Sequence, residues 1–196
     1  MIIRSEPPSE STEVVAEELA WAIRTGSLTG RVGQPVRPEA LTALAPHPVF
    51  AISVEDIRQE MTPAVSGWRY LLELDEQVVA QASTYLDDDG HHRFGGFGVG
   101  PRVNATVAAI RQAEELLGDD PEPLTLAAVE VPAELVSLLQ LTHADGAARG
   151  YLAVGSERPF ALGRLYTRAE MRTELLRVAK RAPLVPQTNR AENTGA

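Results

Sequence analysis

The chain has no cysteine, and its 18 basic residues include one lysine, Lys180. Without thiols there can be no disulfide, thiolate metal site or thiol nucleophile, and the chain suits a reducing compartment. A single lysine confines Schiff-base chemistry to Lys180, on what reads as the solvated end of a helix. The segment from Met1 to Pro8 lacks the long apolar core of a signal peptide, and no later run is long enough to cross a bilayer, so a cytoplasmic protein without a membrane partner is expected. Basic residues are outnumbered by 27 acidic ones, for a net charge of −9. Binding to a phosphate backbone rests on clustered cations that displace counterions, so nucleic acid is not an expected partner. Three motifs of catalysis are missing as well: the Gly-x-Ser-x-Gly elbow, the His-Glu-x-x-His metal pair and the Gly-Lys-Ser/Thr phosphate loop. No cofactor and no metal are expected.

What is present is a regular unit from Trp68 to Gly118. Trp68, Tyr70, Leu72 and Leu74 alternate with Arg69, Leu71, Glu73 and Asp75, the period of a half-buried strand. After Asp75-Glu76-Gln77 a second alternating run, Val78 to Leu86, reads as its antiparallel partner. Asp87-Asp88-Asp89-Gly90 suits a solvated turn, and a third strand restarts near His91 and runs to Phe97. The glycine-rich corner Gly95 to Gly100 leads into Pro101, a residue tolerated in the first turn of a helix. Val103, Val107, Ile110 and Leu117 form that helix's apolar stripe, and Gly118 is a left-handed stop.

The rest divides around this unit. Residues 1–10 are polar and proline-bearing and read as a flexible arm. Residues 11–66 read as an N-terminal helical region with connecting loops, ending in a capping box at Ser53-Val54-Glu55-Asp56. Within the 67–182 core, Leu124 to Val131 is an apolar central strand, and Pro132 to His143 reads as a turn and a strand that pairs back through Ala144-Asp145-Gly146. Thr167-Arg168-Ala169-Glu170 caps a last helix, and residues 183–196 read as a disordered tail. The expected fold is α+β: an antiparallel sheet of five or six strands covered by the central and C-terminal amphipathic helices, with the N-terminal helical region packed on one edge. Three strands and a helix occur twice, without residue-level repetition.

Candidate ligand-binding residues fall in two places. Gly96, Gly98 and Gly100 precede a helix N-terminus, where backbone N–H groups can hold an anion, although the spacing fits neither the phosphate loop nor the dinucleotide fingerprint. His91 and His92 lie beside Asp87 and Asp89, all able to ligate a metal, yet adjacent histidines in a strand point to opposite faces, and a solvated acidic turn is the preferred reading. His47 and His143 complete the set of candidate bases. The aromatics Trp21, Phe50, Trp68, Tyr70, Phe94, Phe97 and Tyr151 exceed what one sheet face must hide, so some are candidates for a groove or an oligomer interface. The function expected is non-enzymatic binding of a protein partner, or self-association, in the manner of an accessory, adaptor or immunity-type subunit. The alternative is a small enzyme or ligand-binding domain with an anion or small-molecule pocket at the glycine-rich corner.

Overall fold

The computed structural model describes residues 2–3, 5–117, 122–132, 135–155 and 159–180. The tail expected at 183–196 and the stop at Gly118 lie outside the described residues. In chain order the elements are β1 (Ile2–Ile3), α1 (Ser9–Arg24), α2 (Ser27–Val32), a 3-10 turn at Pro38–Ala40, β2 (Leu41–Ala51), α3 (Val54–Gln59), β3 (Val65–Leu74), β4 (Gln77–Leu86), β5 (His92–Val99), α4 (Pro101–Leu117), β6 (Leu124–Val131), β7 (Val136–His143), β8 (Ala148–Ala153) and α5 (Arg168–Ala179). The class is α+β.

The sheet is larger than the five or six strands expected and is not wholly antiparallel. Its order is β5-β4-β3-β2-β6-β7-β8, a path of seven strands, with β1 an eighth beside β6. Two meanders run outward from the middle, β3-β4-β5 on one side and β6-β7-β8 on the other, each followed by a helix. They meet where β2 runs parallel to β6 through Val49–Ala128, Phe50–Val129 and Ala51–Glu130. Only the last residues of β2 reach β6. Further along β6, Ile2 and Ile3 pair in parallel with Leu124 and Thr125, so part of the arm expected over residues 1–10 is a strand of the sheet.

The largest departure is β2 itself. Gly26 to Pro48 read as a surface connection because glycine and proline recur there, with at most a short helix at Pro38 to Leu44, and Val49 to Ile52 as a short strand; a proline is ordinarily confined to edges and bulges of a sheet. Here the bulge is in the central strand: pairing with β3 shifts between Leu44 and His47, and Ala45 takes φ 44°. The bulge lets the chain pass two prolines and continue as a strand.

Helices cover both faces. On one face Trp68, Tyr70, Leu72, Leu74, Ala80 and Ala82 pack with Val15 and Ala22 of α1 and Leu28 of α2. The N-terminal helical region therefore lies flat over the first meander and not on an edge, and Leu72 is buried beneath it, not beneath the central helix. On the same face Val129, Val131, Leu138 and Tyr151 of the second meander pack with Ile57 of α3 and Met171 and Leu175 of α5. The opposite face carries α4, whose Ala109, Ala113 and Leu117 meet Leu126, Leu139, Leu141 and Leu152. Because α4 takes that side, Arg69 and Leu71 of β3, which read as a polar face, are buried too. Both expected capping boxes are present: Ser53 accepts from Asp56 N at 3.0 Å, and Thr167 from Glu170 N at 3.2 Å.

Leu72 is fully buried, and removing a buried isobutyl group costs its transfer energy and leaves a cavity, so Leu72→Ala is expected to lower stability by about 2–5 kcal/mol. Urea denaturation checks this; an unchanged midpoint would contradict the packing of α1 on β3.

Candidate functional site

The residues singled out in the sequence are not brought together. His91 is exposed and lies 3.2 Å from Glu10 Oε1 on α1. Asp87 accepts from the backbone of His91 and from Arg93 Nε at 2.9 and 2.7 Å, and the Arg93 guanidinium holds its carboxyl below the usual range. His92 turns the other way into the interior. Its Nδ1 is 3.4 Å from Thr84 Oγ1, which is 2.9 Å from Ser11 Oγ, which is 2.8 Å from Tyr70 OH. This buried chain of polar groups pins α1 to β3, β4 and β5. Among the described residues no group of three or more His, Asp or Glu side chains is placed to hold a metal.

Gly96 and Gly98 belong to the edge strand β5, and Gly100 to the turn before α4. Gly96 has φ 126° where the β4–β5 register shifts, and Gly100 has φ 81°. At Gly98 the backbone angle is not the constraint: an added Cβ would lie 3.0 Å from Gln81 Cγ and 3.1 Å from Gln81 Nε2. Gln81 of the neighbouring strand packs where a side chain at Gly98 would stand, while nothing lies within 4 Å of a Cβ at Gly96 or Gly100.

A charged seam that the sequence reading missed crosses the join of the two meanders on the α4 face. Arg69 Nη2 on β3 donates to Glu130 Oε1 on β6 at 2.8 Å, spanning β2. Ser137 Oγ and Arg102 Nη2, the latter from the start of α4, donate to Glu130 Oε2 at 2.6 and 2.5 Å. Burial opposes the charged carboxylate, but Arg69, Ser137 and Arg102 outweigh it and hold its pKa below the ordinary value. His47 sits opposite Arg69 in the register, 1% exposed, with Nδ1 2.8 Å from Ala45 O and Nε2 without a partner among the described residues. A substrate could reach this imidazole only if the strands parted, which argues against His47 as a catalytic base. The available signal was Glu130 in an otherwise apolar central strand, since a buried carboxylate requires a partner.

The open site is on the other face. The helices α1 and α2 stand over the first meander, and α3 and α5 over the Val129–Val131 end of β6 and the strands beside it, which leaves a space over Thr125 and Ala127 of β6 and Gln140 and Thr142 of β7. The result is a groove of about 900 Å³. Its floor consists of the cross-strand neighbours Thr125–Thr142, Ala127–Gln140 and Gln140–Tyr151. Phe50, Ile57, Met61 and Met171 supply apolar walls. Met61 is 53% exposed. Arg172 fixes one wall by donating to the carbonyl oxygens of Ile57 and Arg58 at 3.1 and 3.2 Å and pairing with Glu60 at 3.1 Å, which satisfies the exposed end of α3. At the same wall Arg168 has no ion-pair partner among the described residues, and Tyr151, 5% exposed, has a hydroxyl with no hydrogen-bond partner among them. Burial raises the Tyr151 pKa, while Arg168 pulls it the other way.

Comparison with protein-family models, with curated protein sequences and with solved structures returns no match. Among the described residues no helix is long and apolar enough to cross a membrane.

The seam makes stability depend on pH. Burial, with Arg69 adding to it, lowers the pKa of His47 from 6.5 to about 4, against the opposing Ala45 bond and Glu130. The folded state therefore favours neutral imidazole, and this contribution is present above pH 6.5 and lost as pH falls toward 4. Between pH 7.5 and 4.5 the wild type should lose about 2–3 kcal/mol more than His47→Gln, at roughly 1.4 kcal/mol per pH unit for one proton. Urea titrations at the two pH values measure the difference; parallel losses in both proteins would show that His47 protonates freely in the fold.

Proposed function

We propose that the protein is a non-enzymatic binding module that receives a segment of a partner protein in the groove on its sheet face. The observation that carries this reading is the uncovered stretch of β6 and β7. The groove's apolar walls come from Phe50 of β2, from α3 and α5 and from Met61, and its floor from threonine and glutamine side chains of β6 and β7. Volumes of several hundred cubic ångströms with apolar lining and a few convergent polar groups are typical of binding sites. Half-open grooves of this kind favour a peptide, whose side chains use the walls and whose amides use Thr125, Gln140 and Thr142. Among the described residues that line the groove there is no histidine, cysteine or lysine, which favours binding over catalysis. The glycine-rich corner gives the alternative enzyme reading no comparable support, since Gln81 packs against Gly98 there.

The test is selection from a displayed random-peptide library on the immobilised full chain, followed by affinity measurement on groove-filled variants. Peptides are expected to bind wild type and to lose about tenfold or more in affinity on Ala127→Phe and Thr142→Trp, provided the thermal midpoints of the variants match wild type. Selected peptides that bind both variants as well as wild type would place recognition elsewhere and overturn the reading.

A further inference from the structure

The polar groups at one end of the groove specify more than an apolar segment. Three kinds of donor converge there. Arg168, the first residue of α5, lines the groove and has no ion-pair partner among the described residues. Tyr151, almost wholly buried, lines the same groove close enough for Arg168 to act on its hydroxyl, which has no hydrogen-bond partner among the described residues. The first turn of α5 adds backbone N–H groups of Arg168 and Ala169, for which a helix offers no internal acceptor; Thr167 already serves Glu170 N. The acidic groups nearby are engaged: Asp56 in the α3 cap, Glu60 with Arg172, and Glu170 with Arg164 and the Thr167 cap. The unmet requirement is therefore for an acceptor that carries negative charge.

We infer that the groove takes the carboxyl-terminal segment of a partner polypeptide, apolar in its last residues, with the terminal carboxylate held by Arg168, Tyr151 and the first turn of α5. This inference rests on the groove reading above and names its occupant. A planar carboxylate matches a guanidinium in two-point contact and accepts further bonds from a phenol and from helix N–H groups. Ala169 and Met171, which flank Arg168 on the wall, present apolar surface and no side-chain donor or acceptor. A chain continuing past an internal Asp or Glu would leave its peptide groups unpaired against that surface, whereas a terminus has nothing beyond it to satisfy. Ser5 and Pro48 also line the groove and border the space for the preceding residues.

Two synthetic peptide libraries of Ala, Val, Leu, Ile and Phe, alike except that one ends in a free carboxylate and the other in a carboxamide, separate the outcomes. Fluorescence polarisation of the tightest members is read on the full chain, on Arg168→Gln, on Tyr151→Phe and on Ala127→Phe. The free acid is expected to bind wild type roughly 10- to 100-fold more tightly than the amide. Arg168→Gln should abolish that preference and Tyr151→Phe reduce it, with amide affinity unchanged in both, while Ala127→Phe weakens both forms. Equal affinity for acid and amide, with both lost on Ala127→Phe, would overturn the carboxylate assignment and leave the groove as a docking surface. Binding that survives Ala127→Phe, or binding of neither form, would overturn both. Laurate that competes more tightly than any free-acid peptide would replace the polypeptide terminus with an acyl chain.

Discussion

Arg69 and Glu130 meet across β2, and the architecture hinges on that contact. Within the sheet the first meander is paired to the second through β2, whose pairing with β6 covers Val49–Ala51. An ion pair from β3 to β6 spans that narrow join, and Arg102 brings the start of α4 to the same carboxylate. Arg69 and Glu130 are largely shielded from solvent, whereas the Arg102 side chain is 58% exposed. Removing one partner of a shielded pair typically costs several kcal/mol, because the other charge is left buried and alone, while an exposed pair contributes about 1 kcal/mol or less. Arg69 therefore holds the join, and Arg102 adds mainly the orientation of α4.

The join and the groove are two sides of one piece of sheet. On the α4 face its middle is closed by the charged seam and by α4's apolar stripe. On the other face the helical layers belong to separate meanders and are anchored separately. The polar chain from Tyr70 through Ser11 and Thr84 to His92 holds α1 over the first, and Arg172 clamps α5 to α3 over the second. The second layer packs on Phe50 of β2 as well as on Val129 and Val131 of β6, so the groove's helical wall is seated on both strands of the join. A rigid floor with walls fixed in this way lowers the ordering cost of binding.

Much of this was legible where local signals act alone. The meander β3-β4-β5 followed by α4 was readable from alternation and the Gly100-Pro101 corner, and both capping boxes from their spacing. The stripe of α4 was read one step away from where it lies: Thr106 and Ala109 are buried with Val103, while Val107 and Ile110 are only half-buried. Small residues let the helix sit close to the sheet, which a search for large apolar groups overlooks. β2 was legible only at its end, where Val49 to Ile52 reads as a short strand, because its bulge breaks the period of two where the prolines fall. The seam was hidden because Arg69, 61 residues from Glu130, looked like an ordinary strand residue with a solvated side, so the partner that Glu130 requires could not be named. The groove has no local signature, since its floor and walls come from distant segments and it exists through what the helices leave uncovered. Its one trace in the sequence was the surplus of aromatics, of which Phe50 and Tyr151 line it.

The central claim is that recognition occurs over the join, on the uncovered stretch of β6 and β7. Amide chemical-shift mapping of the full chain during titration with an apolar free-acid peptide tests it most directly. The account predicts perturbations at Thr125, Ala127, Gln140, Thr142 and Tyr151 and at the first turn of α5, with the β5 edge undisturbed. Perturbations centred on Gly95 to Gly100, with the groove floor silent, would contradict it and return the site to the glycine-rich corner.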